Sequence, residues 1–225
     1  MSYYWIKTNS IIKKIFRNYV WDIANDENKI YLTFDDGPTP KITEWVLKQL
    51  KKHDAKATFF CIGNNIEKHP EIFEKVINEG HSIGNHTFNH QNGWKTSTEE
   101  YLENVKSCES LILNPKSNPS FSELAKQSYN LKSAIFRPPY GKIKPLQAKK
   151  LQKIGYKIIM WDVLSADFDT TISPEKCLEN VFKNVKSGSV IVFHDSVKAF
   201  PNLEYTLPKT LEILSKRGFV FEKID

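Results

Sequence analysis

The chain has 225 residues, 40% of them hydrophobic and 26% charged, a balance that suits one globular domain and argues against extended disorder. Its formal charge of +6 comes from lysines scattered along predicted helix faces rather than a dense basic block, so nucleic acid is not an expected partner. Cys61, Cys108 and Cys177 are odd in number and lack CxxC spacing, which argues against a disulfide framework or a zinc knuckle and reads as buried thiols.

In chain order, the first feature is a basic lead-in. No stretch approaches the roughly 18 apolar residues of a membrane span, and Lys7, Lys13, Lys14 and Arg17 interrupt any apolar core of a secretory signal. The expectation is a cytoplasmic protein without stable membrane insertion, with envelope association as the alternative. Ile12, Ile15, Phe16 and Tyr19 recur at helical spacing. They predict a lead-in segment over residues 1–28 whose helix packs on the floor of the domain that follows, residues 29–225. An interfacial membrane helix is the competing reading.

Beyond it, strand and helix alternate. Residues 29–34 read as a strand and 39–53 as a helix with Ile42, Val46, Leu47 and Leu50 on one face. A strand at 57–62, a helix at 70–80 stopped by its glycine, a short strand at 81–86 and a helix at 97–113 follow. Residues 114–132, rich in Pro, Ser and Asn, read as a long excursion with a short helix at 122–127. Then come strands at 134–137, 156–163, 189–194 and 219–224, with helices at 144–154, 174–185 and 207–217 between them. Seven strands alternating with helices predict a parallel α/β architecture, either a closed barrel or an open doubly wound sheet.

Catalytic groups in parallel α/β folds collect where the strands end. The first strand ends in Thr33-Phe34-Asp35-Asp36-Gly37-Pro38, two adjacent carboxylates at an apolar strand end. Such a pair calls for a metal on one carboxylate and a cation on the other, although a solvated turn with a helix-capping Asp fits that stretch alone equally well. The other strands end near His86 and His90, Arg137, Asp162 and Asp167, and His194-Asp195. His86 and His90 are four apart, the spacing at which two imidazoles on one helical turn reach one ion. With a carboxylate from another strand end they complete a two-His, one-carboxylate set with open positions. His53, His69 and His81 are assigned no role.

Thr33-Phe34-Asp35-Asp36-Gly37-Pro38, His86-Thr87-Phe88-Asn89-His90, Arg137-Pro138-Pro139-Tyr140-Gly141, Asp167-Phe168 and Val190-Ile191-Val192-Phe193-His194-Asp195 resemble the five ordered motifs of the polysaccharide deacetylase family, the NodB homology domain of carbohydrate esterase family 4. The resemblance runs from about Lys29 to the C-terminus. It implies an α/β fold, a distorted seven-stranded (β/α) barrel with parallel strands. It also implies removal of N-acetyl groups from a GlcNAc-containing glycan, peptidoglycan or chitin-type oligosaccharide, with one divalent metal ion, usually zinc. By the same resemblance Asp36, His86 and His90 are the metal ligands, Asp35 the general base and Arg137 its cationic partner. His194 is the general acid, Asp167 orients it, and the Tyr140 backbone N–H helps hold the oxyanion.

Two positions depart from the family pattern. Leu164 stands where an Asp is frequent and Phe168 where a Trp is usual, with Phe168 and Val192 expected to form a slot for the acetyl methyl group. The alternatives are a hydrolase of the same superfamily acting on a small cyclic amide or ureide, and a carbohydrate-binding protein without catalysis.

Overall fold

Strand β1 (Lys29–Asp35) is buried along almost its whole length. That is the pattern of an inner parallel strand, which is covered on both faces and therefore apolar throughout rather than alternating. A computed structural model describes residues 4–113 and 135–225. In it β1 lies between β2 (Ala57–Cys61) and β7 (Val190–His194), with Asp35 level with both Phe60 and His194. The other strands are β3 (Ser82–Asn85), β4 (Ile135–Phe136), β5 (Lys157–Ile158), β6 (Val163–Leu164) and β8 (Val220–Phe221). The sheet runs β5-β4-β3-β2-β1-β7-β6, with β8 beside the start of β1, and its ladders are parallel. Helices cover its outer face, and the sheet curls into the distorted (β/α) barrel expected from the sequence.

The helices are α1 (Ser10–Ile15), α2 (Ile42–Lys52), α3 (Gly63–Lys68), α4 (Pro70–Asn78), α5 (Thr98–Leu113), α6 (Pro145–Lys153), α7 (Pro174–Phe182) and α8 (Phe200–Lys216). Phe34 stacks between Phe59 and Phe193 with ring centroids 5.0 and 6.0 Å apart, so β1, β2 and β7 share one aromatic layer. Leu47 and Leu50 of α2 and Leu207 and Leu211 of α8 pack in the same core. The three thiols are free and buried, as expected.

Three elements differ from expectation. The strand predicted over 156–163 is two strands, β5 and β6, at opposite edges of the sheet, and residues 159–162 cross between them. Helix α8 begins seven residues before the predicted 207 and carries Pro208 in its interior, with Pro201 at its start. Proline is readily accepted in a first turn, where the backbone N–H has no partner to lose, but marks a boundary when read deeper in a pattern. The short α3 had no periodic signal. The helix expected at 122–127 lies outside the described residues.

The lead-in fills the seam between the two edge strands, and its last part passes the foot of the barrel, where Ile23 N donates to Gly188 O at 2.9 Å and Ile23 packs with Tyr31 and Val190. An edge leaves backbone N–H and C=O groups without partners. Here Val20 N donates to Ile158 O (2.8 Å) and Met160 N to Val20 O (2.7 Å), while Thr8 N donates to Asp162 O (2.9 Å) and Leu164 N to Ile6 O (2.8 Å). Helix α1 has only six residues, capped by Asn9 and ended at Phe16, so the expected apolar stripe is cut short. Ile12 and Tyr19 pack on the core, whereas Ile15 and Phe16 remain exposed. Among the described residues no helix is long and apolar enough to cross a membrane.

Asp162 was expected at the catalytic rim. It is instead fully buried beneath the lead-in, paired with Lys13 and, at 2.5 Å, with Lys7, and it accepts from Ser189 Oγ at 2.6 Å. Burial opposes its charge, but the two lysines and the serine outweigh burial and hold its pKa below the usual 3.8. Breaking a buried pair costs about 3–5 kcal/mol, and since both lysines are partly solvated the expected loss for Asp162→Asn at pH 7 is about 2–3 kcal/mol. A native pKa lowered below the unfolded value gives stability that is complete above 3.8 and fades as pH falls through the native value. Urea titrations at pH 7 and at successive pH values below 4 should therefore show the gap between wild type and Asp162→Asn closing on acidification.

Candidate active site

The carboxyl ends of β1, β3, β4, β6 and β7 bring the predicted site residues to one rim. Asp35 closes β1 with its side chain inside the barrel, and Asp36 follows with φ at 83°, a left-handed conformation unusual for a non-glycine residue. That turn sends the adjacent carboxylates in different directions. Asp195, just after β7, fixes it: its carboxylate accepts from Gly37 N (3.0 Å) and from Thr43 Oγ1 (2.5 Å). A Cβ on Gly37 would fall 2.1 Å from Asp195 Oδ2, so no side chain fits there. Asn65 Nδ2 donates to Asp36 O at 2.7 Å and holds the turn from the other side. Burial pushes the Asp195 carboxyl up to about 7, against the hydrogen bond from Thr43.

Arg137 is fully buried and has four acceptors around it. Nη1 donates to Asp35 Oδ1 and Thr33 Oγ1, both at 2.7 Å, Nη2 to Met160 O at 2.8 Å, and Nε to Ile159 O at 3.3 Å. Its guanidinium also lies 4.1 Å from the centre of the Phe60 ring. Burial opposes the charge on Asp35, but Arg137, followed by His86 and His194, outweighs it and keeps the carboxyl below its usual range.

His86 and His90 are on the loop after β3, not on the helical turn that their spacing suggested. Thr87 and His90 have φ of 65° and 54°, and side chains as well as neighbouring backbone satisfy the loop's polar groups. Asn85 Oδ1 accepts from Thr87 N (2.9 Å), and Asn104 Oδ1 of α5 accepts from Phe88 N (2.8 Å) and Asn89 N (2.9 Å). His86 Nδ1 donates to Arg137 O at 2.7 Å, which leaves its Nε2 lone pair facing Asp36 Oδ1 at 3.8 Å. His90 Nε2 is 3.2 Å from the same oxygen, and its Nδ1 is 3.1 Å from the Tyr140 hydroxyl. Burial lowers the pKa of both imidazoles, that of His86 to about 4, so both are neutral at pH 7, the form that binds metals.

The ligand atoms of Asp36, His86 and His90 all lie within 4.8 Å of one another. Asp36 Oδ1 is buried and accepts no hydrogen bond. A buried orphan acceptor facing two imidazole nitrogens is the donor arrangement that one divalent ion satisfies, so the residues fit the predicted metal.

Across the rim, His194 Nδ1 donates to Asp167 Oδ1 at 2.8 Å, and Asp167 Oδ2 accepts the His194 backbone N–H at 2.8 Å. Burial works against the imidazolium, but Asp167 outweighs it and raises the pKa to about 9. Ser165 and Asn202 brace the backbone on either side of Asp167: Ser165 Oγ accepts from Asp167 N (3.3 Å) and Asn202 Nδ2 donates to Asp167 O (3.0 Å). The Phe168 ring meets His194 edge-on at 5.1 Å. Phe168 shares one apolar cluster with Val192, Ala166 and Leu164, and Leu164 pairs with Val192 in register, so both departing positions belong to one cluster, of which Phe168 touches His194. Tyr140, in a short turn at Pro139–Gly141 with φ at 61°, places its exposed ring against His90.

Residues 22–159 match the family model of the polysaccharide deacetylases. The chain belongs to that family. It is 35% identical over 202 residues to a peptidoglycan-N-acetylglucosamine deacetylase of Bacillus cereus, covering 89% of this chain and 88% of that protein. A chitooligosaccharide deacetylase of Azorhizobium caulinodans is 31% identical over 77% of this chain and 76% of its own. Among solved structures, the peptidoglycan N-acetylglucosamine deacetylase Bc1960, crystallised with 4-naphthalen-1-yl-N-oxidanyl-benzamide, superposes with a TM-score of 0.81. It shares 32% identity, with 95% of this chain and 94% of that one covered. Other relatives are longer: the chain spans 60% of a second Bacillus cereus deacetylase and 39% of one from Listeria monocytogenes.

The supporting residues Asp195, Asn65, Asn104 and Asn202 were assigned no role from sequence. Asp195 alone carried a signal, as a second ionisable group at the end of β7. Because the turn at Gly37 is closed by the Asp195 carboxylate, Gly37→Ala forces that carboxylate aside, a crowding effect worth about 1–3 kcal/mol. Urea unfolding should show that loss, and metal retention should fall with it because Asp36 follows the same turn. The companion Asn65→Ala should weaken retention with a smaller loss of stability.

Proposed function

We propose that this chain is a metal-dependent hydrolase that removes N-acetyl groups from a GlcNAc-containing glycan, of the peptidoglycan or chitin-oligosaccharide kind on which its relatives are named. One observation carries the reading. A carboxylate kept ionised by Arg137 and an imidazole kept protonated by Asp167 sit on one rim with a three-residue metal cluster whose Asp36 oxygen lacks a partner. An amide resists attack, and an amine leaves poorly unless protonated, so the reaction needs separate base and acid groups.

Asp36, His86 and His90 would hold the ion, and two imidazoles with one carboxylate suit zinc. When bound, such an ion supplies Lewis acidity, acidifying water and polarising an amide carbonyl. Asp35 is the proton acceptor, and Arg137 fixes its position and keeps it ionised. His194 donates a proton from Nε2 to the departing amine nitrogen, since Nδ1 is committed to Asp167. The backbone N–H of Tyr140 faces the negative charge growing on the carbonyl oxygen. Phe168, Val192 and Leu164 enclose the acetyl methyl group. In this reading residues 29–225 form the catalytic domain and 1–28 the lead-in that closes it. The intact acid and base argue against a binding protein without catalysis. The exposed ring of Tyr140 at the rim favours a glycan over a small cyclic amide.

Acetate release from a panel of N-acetylated glycans, with chelated and zinc-restored protein side by side, tests the reading. Turnover that survives complete metal removal would overturn it. Asp35→Asn should keep the metal and lose turnover by about 10²–10⁴, the usual contribution of a general base. Elemental analysis should find about one metal per chain in wild type and in Asp35→Asn, and little in Asp36→Ala or His90→Ala. An Asp35→Asn protein without metal would mean that the two carboxylates share the ligand role.

A further inference from the structure

Trp94 is 62% exposed, although burying an indole is among the more favourable things a chain can do. Its position is nevertheless fixed. It sits in a single turn, Gly93–Lys95, begun by Asn92, whose Oδ1 accepts from Trp94 N at 3.1 Å. Gly93 N donates to Lys142 O (3.1 Å), and a Cβ on Gly93 would fall 2.5 Å from that oxygen and 2.7 Å from Gln147 Oε1. Gln147 is fully buried, and its Nε2 donates to Gly93 O at 3.0 Å. At the far end of the side chain, Trp94 Nε1 donates to Ile143 O at 3.2 Å. Backbone and ring are thus both tied down, and the surface of the indole is left outside.

The ring also has a defined neighbourhood. It follows the ligand His90 by four residues, and four residues span at most about 14 Å. Its backbone and indole contacts go to Lys142 and Ile143, which directly follow the Tyr140 turn packed on His90. Lys142 Nζ lies over the ring, 5.4 Å from its centre. A flat apolar surface, edged by one cation and a few residues along the chain from His90, suits a pyranose ring. Such a ring offers a face of C–H groups for stacking and a perimeter of oxygen acceptors for an ammonium. A rigid aromatic side chain gives contact area with little entropy lost on binding.

We propose that Trp94 and Lys142 form a sugar-stacking subsite that binds a glycan unit away from the one being deacetylated, the sugar ring lying on the indole and Lys142 reaching its oxygens. The inference rests on the glycan reading of the active site and adds chain-length selectivity to it. Binding energy from a remote unit is used to position the reacting one, so longer substrates gain and short ones do not.

The test compares the wild type, Trp94→Ala and Trp94→Tyr in kcat/KM for acetate release from N-acetylglucosamine oligomers, monomer to hexamer, and from peptidoglycan strands of matched length. Trp94→Ala should lose about tenfold on the longest substrates, equivalent to about 1.4 kcal/mol, and little on the monomer and dimer. Trp94→Tyr should recover most of that loss. Titrating wild-type protein with the same oligomers should shift the indole N–H resonance of Trp94 with the long ones and leave it still with the monomer. This readout needs neither turnover nor a variant that folds. Equal losses at every length, or a Trp94 resonance that ignores bound oligomer, would overturn the subsite while leaving the active-site reading intact. Wild-type protein that neither binds nor deacetylates any glycan would overturn both.

Discussion

The buried pair between Arg137 and Asp35 is the constraint on which the rest of the site depends. Arg137 has no exposure to water, and a guanidinium in that position is tolerable only if its donors are matched. Its partners come from separate parts of the fold: Asp35 at the end of β1, Thr33 within β1, and the carbonyls of Ile159 and Met160 in the crossing between β5 and β6. Its own carbonyl oxygen accepts from His86 Nδ1 and so determines which nitrogen that imidazole turns toward Asp36. One residue therefore holds Asp35 ionised, fixes the tautomer of His86 and ties down the crossing between β5 and β6. Its loss would leave Asp35 as an unpaired buried charge.

Around that pair the site solves a charge-sorting problem. Asp35 and Asp36 are adjacent in sequence, yet one serves a guanidinium and the other faces two neutral imidazoles. The left-handed turn at Asp36 separates them, and the Asp195 contact to Gly37 keeps the turn in place. On the opposite side His194 faces the contrary field. Burial alone would keep it neutral, and the carboxylate of Asp167 keeps it protonated. Asp35 and His194 thus hold opposite charges at one pH because each has one dedicated counter-ion inside the protein.

Much of this was legible in the sequence because strand ends in a parallel sheet share a rim and short motifs mark them. Asp35, Asp36, Arg137, His86, His90 and His194 were all singled out in that way, and the fold brings them to one rim. The spacing of His86 and His90 misled only about local structure: a four-residue interval fits a helical turn, but a loop with two left-handed residues brings the rings together as well. Asn104 and Asn65 carried no pattern, since an amide that satisfies another segment's backbone looks like any surface Asn until the chain is folded. The single strand read over 156–163 was the larger error. Its apolar run is continuous, and period alone cannot say that its two halves pair with opposite edges of the sheet.

That crossing also ties the lead-in to the barrel. Residues 159–162 take hydrogen bonds from Arg137 within the barrel and exchange them with Val20 and Thr8 at the seam. Asp162, at the end of the crossing, is neutralised by Lys7 and Lys13 from the lead-in. Farther along, the Tyr4 ring meets Phe168 at 5.4 Å and its hydroxyl donates to Asp169 at 2.7 Å, close in sequence to Asp167, the partner of His194. The lead-in thus touches the surroundings of both Arg137 and Asp167. A segment whose apolar stripe suggested a membrane surface or a barrel floor also satisfies two open sheet edges, because unpaired backbone at an edge is a strong demand.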